Sequence, residues 1–279
     1  MLLVRWAQLL GRARPKAKRV LWLVIPLVAA GMLGVGGAEA EKKHPKTPPA
    51  DLPGHVNYLA RQLYGVPLDD ASPITDEIEK LVLDHLRQWM ANRTPTDVEV
   101  RRELEAVFAK LHYPLFGQPA VFSQPWKGGA MIGAGYTLGW TDYDRVNVVA
   151  LFESRVGKSR LIALIHFVPR TDLHYELVSP QGTEDFRFFI YGFRLGKSQP
   201  RLTAILYALE GGNLKSLWET HDVYDGKMDV DKDKVVIRYL KEEEYVREQA
   251  HRRKPPRHEA TYLLTRAGMQ IQGDREIPF

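Results

Sequence analysis

The sequence predicts an α+β fold in which an N-terminal helix pair is followed by an antiparallel β meander or sandwich. Apolar residues recur at helical spacing up to residue 111, whereas from Pro114 onward short β-branched and aromatic runs alternate with Gly, Pro, Asp and Asn. The expected order is a signal peptide or signal-anchor over 1–40, a Pro-rich tether over 41–54, a helical segment over 55–113 and an antiparallel β domain over 114–279.

The first forty residues have the composition of an export signal. They hold six basic side chains and one acidic one, and an uncharged apolar stretch over 20–37 leads into Ala38-Glu39-Ala40. A positive start, an apolar stretch and an A-x-A site are typical of a secretory signal. The stretch of 18 residues is also close to the shortest membrane span, so cleavage after Ala40 and a retained signal-anchor both stay open.

Charge and cysteine content restrict the remaining chain. Residues 41–279 carry 33 basic and 33 acidic side chains, so the alkaline isoelectric point comes from the first forty residues alone. A nucleic-acid-binding domain needs basic charge on the folded body, and this body lacks the excess. The chain has no cysteine, so a conventional apolar core must stabilise the exported part without disulfides.

Two strong helices and one weaker helix are expected before the strands. Thr75 is the predicted N-cap of a helix over 75–91, and Thr96 opens a second helix over 96–111. A weaker pattern covers 55–64. The short connector between the two strong helices predicts an antiparallel pair that covers one face of the β domain.

Several of the predicted strands are apolar on both faces. In 201–209, Leu202 and Leu206 lie on one side and Ile205 on the other, so such a strand must be covered twice. The sequence Arg-Val/Leu-Gly-Lys-Ser recurs 39 residues apart, which leaves a small β-propeller-like repeat domain as the alternative.

The two Gly-Lys-Ser triplets, 157–159 and 196–198, raise the question of nucleotide binding. A phosphate-binding loop also requires a glycine five residues before the Gly-Lys pair, where Phe152 and Tyr191 stand instead. Strands flank both triplets, so we expect hairpin turns and no bound nucleotide. Glycines 133 and 135 likewise lack the strand–turn–helix context of a dinucleotide site and predict close backbone approach within a strand.

An alternating acidic run gives the strongest metal candidate. Asp229, Asp231 and Asp233 have the spacing of the first ligands of a calcium loop, but Lys234 and Leu240 replace the Gly and Glu that an EF-hand requires. The alternative is a hairpin with solvated carboxylates. A weaker acidic turn contains residues 142 and 144. No other cofactor is indicated.

The segment 241–258 is the predicted partner-facing loop. Its basic end contains an anion-binding candidate made of four side chains: Arg252, Arg253, Lys254 and Arg257. Lipid head groups and acidic wall polymers are the polyanions available outside the inner membrane. The three glutamates over 242–244 favour a competing interpretation, in which the loop pairs with itself.

These observations predict an exported cell-envelope protein that acts as a binding or interaction module and is not an enzyme. We expect it to be extracytoplasmic, secreted or anchored to the inner membrane by residues 20–37. The alternative is a hydrolase acting on envelope polymer or peptide. It would need a site assembled from scattered residues, such as His174 or His221 with a carboxylate and a serine, because no local catalytic motif is present.

Overall fold

The computed structural model describes residues 47–64, 66, 68–111, 118–139, 146–168, 173–178, 185–195 and 198–278. The chain divides into two units, Met1–His44 and Pro45–Phe279, and all of the described residues belong to the second. The predicted signal or anchor, the acidic turn at Asp142 and Asp144, and Lys197 lie outside the described residues. Within the described ranges, none of the helices combines the length and the apolar character needed to span a bilayer.

In the described part of the chain, three helices precede the strands: α1 over Leu52–Gln62, α2 over Leu68–Met90 and α3 over Asp97–Val107. Thr96 starts α3 with a capping box. Its hydroxyl accepts a hydrogen bond from the Glu99 N–H, and the Glu99 carboxylate accepts one from the Thr96 N–H. The start of α3 therefore lies where the sequence predicts it.

The helix α2 begins seven residues before the predicted start at Thr75. The prediction that Thr75 is the N-cap of this helix is therefore wrong. The Thr75 hydroxyl instead donates to the carbonyl oxygen of Ser72, 2.9 Å away, as it does in a helix interior. Pro73 lies inside the helix. A proline usually marks a helix boundary, and this signal is misleading here because the helix continues through it.

Among the described residues, twelve strands form three antiparallel sheets of four strands each, which confirms the predicted α+β class rich in antiparallel strands. The first sheet contains β1 (Gln118–Trp126), β2 (Gly129–Leu138), β3 (Val146–Arg155) and β4 (Lys158–Phe167), in that order. The second contains β5 (His174–Val178), β6 (Phe186–Arg194), β7 (Arg201–Glu210) and β8 (Asn213–Tyr224). The third contains β9 (Lys227–Asp231), β10 (Lys234–Tyr239), β11 (Arg257–Thr265) and β12 (Gly268–Ile277).

Three apolar clusters join the helices and the sheets into successive layers. Phe152 on β3 packs towards the helices, whereas its neighbour Leu151 packs towards the second sheet. Phe188 on β6 packs against the first sheet, whereas Phe189 packs with Ile237 of the third sheet. Because successive residues of a strand point to opposite faces, the first and second sheets are each covered on both faces.

The prediction of two buried faces for β7 is confirmed. Ile205 belongs to the cluster between the first and second sheets, and Leu206 belongs to the cluster between the second and third. The predicted close approach at Gly133 is also present, since a Cβ there would overlap the Phe122 ring of β1. Glycine is required at this position because the ring occupies the space of a side chain.

The segment predicted as a long loop contains a helix, α4, over Glu242–Ala250. None of its residues is buried, so it has no apolar stripe that sequence periodicity could reveal. It is attached through polar and aromatic contacts instead. Arg201 bonds to Glu242 at 2.5 Å, and the rings of Tyr224 and Tyr245 lie 5.2 Å apart.

A buried arginine connects the second sheet to the third. Arg187 on β6 has no exposed side-chain surface, and its guanidinium donates to the carbonyl oxygens of Thr265 at 2.6 Å and Arg266 at 2.7 Å. Both acceptors lie at the turn between β11 and β12. The Asp185 carboxylate is 3.7 Å away and partly neutralises the charge.

Replacing this arginine is expected to destabilise the protein strongly. Arg187→Met should lower the free energy of unfolding by about 2–4 kcal/mol, because two carbonyl oxygens lose their donor and Asp185 loses its cation. Urea unfolding followed by circular dichroism measures the change. The control is Arg275→Met, whose side chain is 74% exposed and whose loss should stay within about 0.5 kcal/mol. Equal losses in the two variants would contradict a structural role for Arg187.

Candidate functional site

Two hairpin turns lie side by side at one end of the first sheet. The turn between β1 and β2 is 127–128, and the turn between β3 and β4 is 156–157. They are neighbours because β2 pairs with β3, and a Cβ at Gly129 would lie 3.1 Å from Cγ of Arg155. This end of the first sheet is named the tip end.

The first Gly-Lys-Ser triplet forms one of these turns, as predicted. Arg155 pairs with Lys158 across it, and Gly157 has a φ of +67°, which glycine adopts without a steric penalty. A strand follows the turn, so the triplet has no helix N-terminus that could bind phosphate in the manner of a phosphate-binding loop. The second triplet is described only at Ser198, whose hydroxyl lies 2.5 Å from that of Tyr224.

The connector between α2 and α3 fixes the β3–β4 turn in place. The Thr94 hydroxyl donates to the carbonyl oxygen of Arg155 at 3.1 Å and accepts from the Gly157 N–H at 3.3 Å. The Ser159 hydroxyl donates to the carbonyl oxygen of Arg93 at 3.1 Å. One side chain from each segment thus bonds to the backbone of the other, which restricts the turn to one position relative to the helices.

A charged cleft of about 420 Å³ lies beside this turn and is lined by Glu153, Arg155, Lys158 and Arg160. This group is named the tip cleft. Glu153 bonds to Arg155 and to Arg160, each at 2.9 Å, while the two arginine side chains remain 61% and 66% exposed. Among the described residues, Lys158 has no ion-pair partner.

The carboxylate of the tip cleft is held in its ionised form. Hydrogen bonds from Arg155 and then from Arg160 lower the pKa of Glu153 below its ordinary value of 4.5. A lowered pKa in the folded state means that this pairing stabilises the protein at neutral pH and is lost only as the pH falls through the lowered pKa. At neutral pH the cleft therefore has three cations and one anion, a net charge of +2.

The neighbouring β1–β2 turn adds an aromatic side chain and a further cation. The Lys127 ammonium lies 5.0 Å from the centre of the Trp126 ring, and the edge of that ring contacts Phe186 of the second sheet. A second cleft, of about 500 Å³, runs along residues 125–129. The tip end therefore combines cationic side chains with a partly exposed tryptophan.

The predicted calcium ligands do not come together. Asp229 on β9 pairs with Arg238 of β10, which also bonds to Glu259 at 3.0 Å, and Glu259 bonds in turn to Arg275 at 2.8 Å. Asp231 ends β9, and Asp233 lies in the hairpin turn that follows it. In the described part of the chain, no group of three or more acidic or histidine side chains is placed to hold a metal ion.

The predicted anion-binding cluster is divided between two elements. Arg252, Arg253 and Lys254 are exposed beyond the C-terminal end of α4, where cations interact favourably with the helix dipole. Arg257 lies on β11 and bonds to the Asp225 carboxylate at 2.7 Å. The glutamates of the segment 241–258 were expected to pair with its basic end. This pairing is only partial, since Glu242 bonds to Arg201, which lies outside the segment.

Several of the described histidines pair with carboxylates. His85, His166 and His258 each lie within 2.7 Å of a glutamate oxygen, and His221 lies 3.6 Å from Glu219. His174 stacks on the Tyr191 ring. Across the described residues, no serine hydroxyl is hydrogen-bonded to any of these rings.

The chain matches no known protein family, and no curated protein resembles it significantly in sequence. The interpretation of the site therefore depends on its own geometry. Sequence reasoning missed the tip cleft, although it predicted the hairpin turn that contains Lys158. The available signal was the presence of three cations, Arg155, Lys158 and Arg160, within six residues, which a hairpin turn brings to one end of the sheet.

Removing the hydroxyl that fixes the β3–β4 turn should cost measurable stability. Thr94→Val is expected to lower the free energy of unfolding by about 1 kcal/mol, because the Arg155 carbonyl oxygen and the Gly157 N–H both lose a partner. Lys158→Ala serves as the control and should change it by less than about 0.5 kcal/mol, as an exposed side chain does. Chemical denaturation of both variants provides the comparison, and a loss confined to Lys158→Ala would refute this assignment.

Proposed function

We propose that the chain is an exported cell-envelope protein that acts as a binding module, and that its tip cleft binds an anionic group. The observation that carries the proposal is the cleft itself, in which two arginines share one carboxylate and Lys158 has no carboxylate partner among the described residues. A phosphate or carboxylate of a ligand supplies the missing negative charge. Arginine suits such ligands because its planar guanidinium donates two parallel hydrogen bonds.

The rigidity of the cleft supports this function. Its turn is bonded to the α2–α3 connector through Thr94 and Ser159, and Glu153 orients both arginine side chains. Side chains that are already ordered lose less entropy when a ligand binds. The ligand class proposed is an anionic envelope polymer or lipid head group, and neither a nucleic acid, a nucleotide nor a metal cofactor enters the proposal.

Export is the second part of the proposal and depends on the first forty residues. Their positive charge, the apolar stretch over 20–37 and the Ala38-Glu39-Ala40 site support secretion or anchoring to the inner membrane. The absence of cysteine is compatible with either outcome, since the three apolar clusters supply the core. For the finer topology we propose a sandwich extended to three sheets behind the N-terminal helices.

The hydrolase alternative gains no supporting observation. Among the described residues, the pairs of histidine and glutamate lack a hydroxyl nucleophile, and the tip cleft contains neither a histidine nor a serine. The cleft residues present cations to a ligand, which suits binding. A binding module is therefore the function that the geometry supports best.

Export is tested by locating the body of the protein in a bacterial host. Protease added outside the inner membrane is expected to digest residues 41–279, because a positive flank stays on the cytoplasmic side. N-terminal sequencing separates the two forms, since cleavage gives a start at Glu41 and an anchor retains residues 20–37. A body that survives protease until the inner membrane is permeabilised would contradict export.

Anion binding is tested with inorganic polyphosphate as the probe. The double variant Lys158→Ser/Arg160→Ser is expected to bind it about tenfold more weakly at low salt, because two charge-assisted contacts are lost. Glu153→Gln should act in the opposite direction and tighten binding, since it frees both arginines from their internal partner. Calorimetric titration at several salt concentrations measures both effects.

The matched control removes the same charge elsewhere. Arg252→Ser/Arg253→Ser takes two cations from the end of α4 and should leave the affinity within about twofold. The basic residues of segment 1–40, where retained, contribute equally to every variant. If both double variants weaken polyphosphate binding equally, binding depends on net charge alone. The tip cleft would then lose its assigned role.

A further inference from the structure

We propose that the tip end of the first sheet docks on the surface of an anionic lipid bilayer. This inference rests on the proposed function and names the source of the anionic group, which is the head group of a membrane lipid. It adds to the tip cleft an apolar residue and an aromatic residue that a soluble anion does not require. The two turns of the tip end then contact the membrane together.

The apolar contribution comes from the apex of the β3–β4 turn. Val156 is 93% exposed, the largest exposure among the large hydrophobic residues of the described chain. It lies between the cations Arg155 and Lys158. An aliphatic side chain held out into water at the apex of a fixed turn buries almost none of its surface against the described residues. In a bilayer the same side chain enters the boundary between head groups and acyl chains, where apolar surface is removed from water.

The second turn supplies the aromatic residue. Trp126 is partly exposed on the β1–β2 hairpin, which is adjacent to Arg155 through the pairing of β2 with β3. Tryptophan is enriched at membrane–water interfaces because its ring is apolar while its N–H remains hydrated. The Lys127 ammonium lies over this ring, 5.0 Å from its centre, so a cation that can pair with a lipid phosphate accompanies the aromatic residue.

The charge balance of the tip end favours an anionic surface. The cations there are Arg93, Lys127, Arg155, Lys158 and Arg160. The carboxylates are Glu153 of the tip cleft and two in the first turn of α3, Asp97 and Glu99. Five cations against three anions leave a net charge of +2 on a body whose total charge is balanced. Each cation held near an anionic membrane contributes to binding, and the effect falls away within a Debye length.

The apolar residue distinguishes a bilayer from a soluble polyanion. A wall polymer or polyphosphate in water meets the arginine and lysine side chains but offers little apolar volume to Val156. Anion binding alone therefore does not explain why Val156 is exposed at the tip end. One aliphatic side chain and a few cations give weak, reversible attachment, which suits the form of the chain in which the predicted signal-anchor over 20–37 is retained.

The sequence allows a site-specific test on the full chain. Because the chain has no cysteine, Val156→Cys introduces a single thiol that can be labelled with an environment-sensitive fluorophore. Val246→Cys is the matched control, since Val246 is also a highly exposed valine, at 61%, and lies on α4. The label reports immersion of its own position, so an apolar stretch inserted elsewhere in the chain does not obscure the result.

The labelled proteins are compared on vesicles of phosphatidylcholine with and without about one third phosphatidylglycerol. The expected result is a blue shift, with quenching by a lipid-borne quencher, only for Val156→Cys and only on the anionic vesicles. Adding Lys158→Ser/Arg160→Ser to the labelled chain, or raising the salt concentration, should abolish the shift. Both effects are expected because the cations hold the turn at the surface.

Two outcomes would overturn membrane docking. One is the same response at positions 156 and 246, and the other is no response at 156 on anionic vesicles. If Lys158→Ser/Arg160→Ser still weakens polyphosphate binding in that case, the tip cleft binds a soluble polyanion and the proposed function stands. If polyphosphate binding is unchanged as well, the proposed function fails together with the docking.

Discussion

The architecture depends on the burial of two sheets on both of their faces. Phe188 and Phe189 are consecutive residues of β6, yet they belong to different apolar clusters and are both fully buried. A sheet with two apolar faces is stable only between two covering layers. The helices and the second sheet cover the first sheet, and the first and third sheets cover the second. The strand β12 of the third sheet is exposed over most of its length, so no further layer covers it in the described part of the chain.

This burial restricts where a ligand can bind. The faces of the first two sheets are filled by side chains, and the outer face of the third sheet is occupied by a chain of ion pairs from Asp229 through Arg238 and Glu259 to Arg275. These charges neutralise one another across four strands, so they offer little net charge to a partner. The turns at the ends of the strands are left, and at the tip end three cations line one cleft with a single carboxylate. Loops fixed by a rigid scaffold are common sites of function for this reason.

Sequence patterns predict the buried parts of this fold better than its surface. The two apolar faces of β7 follow from the identity of Ile205 and Leu206, because burial dictates residue type at both positions. The helix α4 was missed because it has no buried residue and is attached by Tyr245 and charged side chains. Its sequence contains no periodic signal, so only tertiary contacts reveal it.

The tip cleft could not be predicted for a related reason. Its stability depends on hydrogen bonds between Thr94 and the turn at 156–157, which are about sixty residues apart in sequence. No local pattern indicates that this connector and this turn meet. The Gly-Lys-Ser triplet did identify the position, since its glycine is needed for the turn and its lysine for the charge of the cleft. In its strand–turn–strand context the triplet lacks the helix N-terminus of a phosphate-binding loop.

The contrast between the two basic clusters shows why counting charges in a sequence is insufficient. The segment with Arg252, Arg253 and Lys254 has the higher local density of cations, but they lie beyond the C-terminal end of α4, where the helix dipole already interacts with them. Arg257 is committed to Asp225. In the tip cleft a single carboxylate, Glu153, serves two arginines, so each has donors left for a ligand. The tip cleft has the lower density of cations in the sequence, but it is the stronger candidate for anion binding in the folded protein.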